Sequence, residues 1–173
     1  VPVLSSQVPL NFTGDIILII YLFALARFFL VLTSLDTGSA FGGMGGSREM
    51  MVSSMAEPAM ILSFFTVALT VNSTNLSNIT STLLNNSILL LNPSLILAFA
   101  ALTIVLIAET GRIPVDNPFT HLELTMIHEG MMLEFSGRYL ALVEWASSMK
   151  LLLLLTILVN IFFPWGIAGG LTF

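Results

Sequence analysis

Cysteine is absent from this 173-residue chain, which removes disulfides, c-type haem attachment and iron–sulfur ligation by its own side chains. Charge is scarce as well. Asp, Glu, Lys and Arg together make up 9% of the residues, against roughly 25% in a typical soluble domain. So few charges cannot cover the surface of a soluble globular domain, and that class is excluded. Five bases face ten acids, for a formal net charge of −5. Five bases on an acidic chain make no stripe that could track phosphates, so nucleic-acid binding is excluded too. What is abundant is apolar: 56% of the residues are hydrophobic and the mean hydropathy is +0.99. The chain reads as all-α, a polytopic transmembrane helix bundle forming a single membrane domain over residues 1–173.

A helix needs roughly 20 apolar residues to cross the hydrocarbon core, and about four stretches qualify or come close. Spans are expected at about 16–35, 49–71, 94–109 and 139–163. The first begins after Asp15 and contains Arg27; the second contains Glu57 and Pro58; the third ends on Glu109; the fourth is closed by Pro164. Between the first two lies a glycine-rich loop, 36–48, in which Gly42, Gly43, Gly45 and Gly46 are expected to form a flexible turn. No Lys-Ser/Thr follows them, so this is not a phosphate loop. Residues 72–92 are rich in Asn, Ser and Thr and carry no charge. The segment 110–138 is a long polar loop.

The bases set the topology. Arg48, Arg112 and Arg138 fall in the two loops that four spans place on one side, while 1–14, 72–93 and 165–173 carry no Lys or Arg. By the positive-inside rule, loops 36–48 and 110–138 are expected to be cytoplasmic. Localisation follows as the cell (cytoplasmic) membrane, multi-pass, with the charged loops inside. Trp165 stands where an interfacial anchor would. No basic region followed by a small-residue cleavage site precedes the first span, so no signal peptide is expected. Sequons at Asn11, Asn72, Asn75, Asn78 and Asn85 follow from an Asn/Ser/Thr-rich composition alone.

Ionisable residues inside a span are costly, on the order of 2.5–3.5 kcal/mol on insertion scales, and usually face a polar interior. Glu57 lies two turns into the second span, with Ser53 one turn earlier on nearly the same face. Pro58 removes a backbone donor beside it and opens the local hydrogen-bond ladder to water. A functional carboxylate is the first reading of Glu57; a structural pair with Arg27 is the alternative. Glu109 is followed three residues later by Arg112, an ordinary helix-end spacing. Glu144 and Lys150 lie in the first half of the fourth span, from which either could snorkel to the cytoplasmic interface.

The 110–138 segment holds Asp116, Glu123, Glu129 and Glu134 together with His121 and His128. If 121–134 is helical, Glu123 and Glu134 share one face and the two histidines another. Carboxylates clustered near a membrane surface repel one another's charge and take up protons more readily, which suits proton exchange. His128-Glu129 lacks the second histidine of H-E-x-x-H, so no metal site is expected. Met44, Met50, Met51, Met55 and Met60 read as apolar packing.

From Glu109 onward the residues become distinctive. Glu109-Thr110-Gly111-Arg112-Ile113-Pro114-Val115-Asp116-Asn117-Pro118 resembles the loop E-T-x-R-x-P-F-D-x-P-E-A-E-x-E-L of the subunit-1 family of respiratory complex I. Glu134-Phe135-Ser136-Gly137 resembles that family's E-Y-S-G, and Glu144-Trp145 its later E-Y. Arg48 and Glu57 are spaced like the family's loop arginine and intramembrane glutamate. The likeness runs from about Gly14 to Pro164. Within the family, Ser34–Phe41, Gly46-Ser47-Arg48-Glu49, His121-Leu122-Glu123-Leu124-Thr125-Met126 and Glu134-Phe135-Ser136-Gly137-Arg138 resemble the hydrogenase-4 component C branch. Members of that branch are membrane subunits of energy-converting nickel–iron hydrogenases and formate hydrogenlyases. At the three acidic positions of P-E-A-E-x-E-L this chain has Phe119, His121 and Glu123, which argues against a quinone-binding loop.

The resemblance implies a non-catalytic membrane-anchoring and proton-path subunit that couples a peripheral hydrogenase arm to ion translocation. Glu57, Glu109 and Glu144 would be relay groups, with Glu123 and Glu134 joining the path at the junction. Asp116, His121, His128 and Glu129 would lie at that junction too. Arg48 and Glu49, with Arg112 and Arg138, would hold the loops by ion pairs. No cofactor is expected in this chain; iron–sulfur clusters and the nickel–iron centre would lie on partners. Those partners would be the hydrogenase large and small subunits, an iron–sulfur subunit and antiporter-like membrane subunits, in a lipid bilayer. Two alternatives stand beside this. One is the same scaffold in a quinone-reducing or other ferredoxin-linked oxidoreductase. The other is a free-standing ion channel or transporter, which internal inverted repeats would favour and for which none are found.

Overall fold

The computed structural model describes residues 14–111, 127–132 and 135–163. Among them the secondary structure is helical, with no strand. Six α-helices follow in order: α1 Ile16–Asp36, α2 Ala40–Val71, α3 Leu76–Asn85, α4 Pro93–Glu109, α5 Ile127–Met132 and α6 Arg138–Phe162, with a 3₁₀ turn at Ser87–Leu91. The expected all-α membrane bundle is what the chain forms. α1, α2 and α6 are each long and apolar enough to cross a membrane. α4 is apolar but has only 17 residues, about 25 Å at 1.5 Å per residue.

Local sequence explains where the helices start and stop. Asp15 caps α1, its carboxylate accepting from the Ile17 amide at 3.1 Å, and Ser39 caps α2 by accepting from the Gly42 amide at 3.0 Å. Side chains of this kind satisfy the amides that a first helical turn leaves unpaired. α2 ends at Asn72, which takes the left-handed conformation at φ 56°, a role that glycine or asparagine fills. Asn92 followed by Pro93 opens α4, where proline's missing donor costs nothing.

The loop expected at 36–48 is largely helix. α2 begins at Ala40, nine residues before the expected span, and the glycines lie inside it instead of forming a flexible turn. Their lack of side chains is what admits the neighbours. A Cβ on Gly42 would stand 2.5 Å from the Ser34 carbonyl oxygen, and one on Gly45 would stand 2.9 Å from the Met131 amide nitrogen. Small residues allow backbones to approach this closely in membranes. α1 and α5 therefore pack onto the first turns of α2 through its glycine face.

The uncharged 72–92 segment is also structured. α3 turns Leu76, Ile79 and Leu83 into the interior and leaves most of its polar residues half-buried or exposed. Asp15 and Asn75 form an isolated bridge, and the Ile16 amide donates to the Thr74 carbonyl at 3.0 Å. These bonds tie α3 across the end of the bundle where α1 begins and α2 ends. The apolar core lies against it: Ile16 and Ile20 from α1, Phe64 and Val67 from α2, Leu95 and Leu102 from α4, Ile157 and Ile161 from α6. Phe99 and Phe162 meet edge to face with ring centres 5.0 Å apart, locking α4 to α6.

The outside of the bundle is apolar too. Tyr21, Leu22, Leu25, Phe28 and Phe29 of α1 are exposed, as are Leu62 and Leu69 of α2 and Leu152 of α6. An exposed apolar belt of this extent fits contact with lipid. Of the five methionines expected to pack, Met60 is buried, whereas Met44, Met50, Met51 and Met55 face outward from α2. They lie on its outer side, opposite the glycine and serine face that the bundle covers.

A buried charge cluster as the candidate functional site

Each of the four main helices brings one charge to the middle of the bundle. Arg27 sits near the centre of α1, Glu57 near the centre of α2 and Lys150 near the centre of α6, while Glu109 is the last residue of α4. Because these residues touch, the short α4 ends level with the middle of the other three helices. That is the physical consequence of its length.

Arg27 uses both ends of its fork. Its Nη1 donates to Glu57 Oε2 at 3.2 Å, and its Nη2 donates to Glu109 Oε1. The other carboxylate oxygen of Glu109 accepts from Lys150 Nζ at 2.7 Å. Lys150 also donates to the Glu109 backbone carbonyl at 2.9 Å, so one ammonium neutralises the carboxylate and caps the C-terminus of α4. A cation there meets the negative end of the helix dipole. Gly111, at φ 57°, follows immediately. The four residues form a chain of alternating sign: Glu57, Arg27, Glu109, Lys150. With two cations and two anions the cluster is neutral.

Burial divides the chain of charges in two. The Arg27 and Glu109 side chains are 5% and 3% exposed, while Glu57 and Lys150 at the two ends are 34% and 24% exposed. The middle is closed and the ends are open. Arg27 Nε is buried and has no acceptor among the described residues. Ser53, buried one turn before Glu57, donates its hydroxyl to the Glu49 carbonyl at 2.7 Å. It satisfies itself on its own helix and stays off the charge cluster.

Of the expected relay residues, the structure brings together Glu57 and Glu109. Both have cationic partners, so the alternative reading of Glu57 as paired with Arg27 is what the geometry shows. Glu144 is placed elsewhere: it lies exposed on α6, six residues before Lys150 and on a different face. Lys150 does not snorkel to an interface, since Glu109 holds it inward. Arg48 and Glu49 are half-buried on α2, more than two turns before Glu57. Arg138 starts α6, stacks over the Tyr139 ring at 4.8 Å and donates to its hydroxyl at 2.9 Å. Arg112, Asp116, His121, Glu123 and Glu134 lie outside the described residues. For His128 and Glu129 only the helical backbone of α5 is described. Arg27 and Lys150 complete the site and were not among the expected site residues. The signal for both was present, since each is a charge within an apolar span.

Comparison with known proteins gives the family. The family model described as NADH dehydrogenase matches residues 1–172. The chain belongs to that family, of complex I subunit 1-like proteins. It is 39% identical to formate hydrogenlyase subunit 4 of Escherichia coli (strain K12) over 98% of its length and 56% of the relative's. It is 38% identical to hydrogenase-4 component C of the same organism, over 98% of its length and 55% of the relative's. The chain thus spans about half the length of these curated relatives. The family resemblance read from the Glu109–Pro118 motif and its neighbours is therefore shown, down to the hydrogenase-related branch.

Proposed function

We propose that this member of the family is a membrane-anchoring subunit of a hydrogenase-type complex, and that its buried charge cluster takes part in ion translocation. The observation that carries this is the Glu57–Arg27–Glu109–Lys150 chain at the middle of an otherwise apolar bundle. Ion-paired side chains are not needed to hold such a bundle together, since apolar residues of similar volume often serve stability as well or better. Charges placed at membrane depth commonly mark ion or proton pathways. Kinship to formate hydrogenlyase subunit 4 and hydrogenase-4 component C supports the hydrogenase assignment.

On this reading Glu57 and Glu109 are the relay groups within the bundle, and Glu144 marks an outward-facing extension of the path. Glu123 and Glu134 belong to the junction with a peripheral arm, together with Asp116, His121, His128 and Glu129. Arg48, Glu49, Arg112 and Arg138 hold the loops there. Iron–sulfur clusters and a nickel–iron centre belong to the hydrogenase large and small subunits and an iron–sulfur subunit; antiporter-like subunits continue the membrane arm. The end of the bundle with Arg48 and Arg138 faces the cytoplasm, in keeping with the positive-inside rule. The experiment is Glu57→Gln in the assembled complex, with hydrogen evolution and the coupled ion gradient measured together. Loss of the gradient is expected. Wild-type levels of both would show that the relay assignment is wrong.

A further inference from the structure

We infer that Lys150 is a proton-exchanging group of this subunit, coupled to Glu57 through the closed Arg27–Glu109 pair. This rests on the relay reading above and names the residue through which protons leave and return on the α6 side.

Four charged groups face one another here, one from each main helix: Arg27, Glu57, Glu109 and Lys150. No proton passes along them by simple hopping, because Arg27 stands between the two acids and an arginine does not give up its proton in proteins. Arg27 and Glu109 are also closed off from surroundings that could supply or remove one. The groups with partial exposure are the two ends, Glu57 and Lys150. A carboxylate and an ammonium can each exchange a proton, which a guanidinium does not.

The two ends sense each other through charge. As described the cluster is neutral, and a net charge in a low-dielectric interior is strongly disfavoured. A proton taken from water onto a free oxygen of Glu57 adds one positive charge. Release of one proton from Lys150 Nζ to water restores neutrality and leaves a neutral amine, still able to donate to the Glu109 carbonyl. Arg27, no longer shared with a carboxylate at Glu57, remains as the counter-ion of Glu109. The reverse exchange returns the cluster to its starting state. Uptake at one end thereby favours release at the other, with the proton count balanced and no proton crossing Arg27.

A purely structural Lys150, serving as cap and counter-ion, needs only its positive charge. Lys150→Arg separates the two roles because it keeps the charge and does not release it. The test uses the complete complex in membrane vesicles, with the ion gradient recorded per hydrogen evolved. At least a tenfold fall in that ratio is expected for Lys150→Arg, with Lys150→His, which titrates, retaining a larger share. A wild-type ratio in Lys150→Arg overturns the inference. Should the arginine variant fail to assemble, Lys150→Met and Lys150→His decide: equal ratios in the two overturn it, and a higher ratio for His supports it. If Glu57→Gln loses the gradient while Lys150→Arg keeps it, the relay reading stands and this inference alone fails.

Discussion

Arg27→Leu removes the cation that touches both Glu57 and Glu109, and its cost can be worked from the geometry. Breaking a buried ion pair from one side costs about 3–5 kcal/mol, because the partner charge is left uncompensated. Glu109 retains Lys150 at 2.7 Å, and Glu57 is one-third exposed, so its loss is smaller than that of a fully buried carboxylate. The expected cost therefore lies near the lower end, about 3 kcal/mol. Arg27→Lys keeps the charge but presents a point ammonium in place of a fork. It reaches one acid and loses one charge-assisted hydrogen bond, about 1.5 kcal/mol. Glu57→Gln added to Arg27→Leu restores neutrality, leaving Glu109 with Lys150, and should recover at least about 1 kcal/mol relative to additivity. The assay is thermal unfolding of the purified complex in detergent, where Arg27→Leu is expected to melt below the wild type and Arg27→Lys between the two. Arg27→Leu melting at the wild-type temperature, or a strictly additive double variant, would show that Arg27 does not hold the two acids together.

Other expectations concern the packing that positions the cluster. Gly45→Val should undock α5 from α2 at a cost of about 1–3 kcal/mol, since its Cβ would meet the Met131 amide at 2.9 Å; limited proteolysis near residue 130 reads this. Gly43→Ala meets nothing within 4 Å and should be neutral or stabilising by up to about 1 kcal/mol, checked in the same melts. Asp15→Ala removes the α1 cap and should cost about 0.5–2 kcal/mol, whereas Asn72→Gly should leave stability within a few tenths because glycine suits the left-handed site. Phe64→Ala, in the middle of the core, should cost about 3–5 kcal/mol, while Leu62→Ala on the exposed side of α2 should melt near the wild-type temperature.

Hydropathy alone located α1, α4 and α6 to within a residue or two, because a long apolar run in a chain with so little charge has few alternatives to a membrane helix. It misplaced the start of α2. Glycine weakens an isolated helix, and nothing local reveals that Ser34 and Met131 approach so closely that only glycine fits. The same limit applied to 72–92, where Leu76, Ile79 and Leu83 form a core face amid Asn, Ser and Thr. At the site, Glu57 and Glu109 stood out as acids in or at the end of spans. Their arrangement was not legible, since Arg27 is 30 residues from Glu57 and 82 from Glu109, and Lys150 is 41 from Glu109. Only the packing of four helices brings them level. Opposite charges of this kind in separate spans are a signal worth pairing before any is assigned to the surface. Lys150 was the residue this would have recovered.

On the proposal above, the closed charge pair transmits ionisation across the bundle and does not merely hold it together. Glu109→Gln keeps the shape of the side chain and one of its two acceptor oxygens, and removes its charge. In vesicles containing the assembled complex, this substitution is expected to collapse the ion gradient formed per hydrogen evolved. A Glu109→Gln complex that evolves hydrogen and builds the gradient as the wild type does would contradict it.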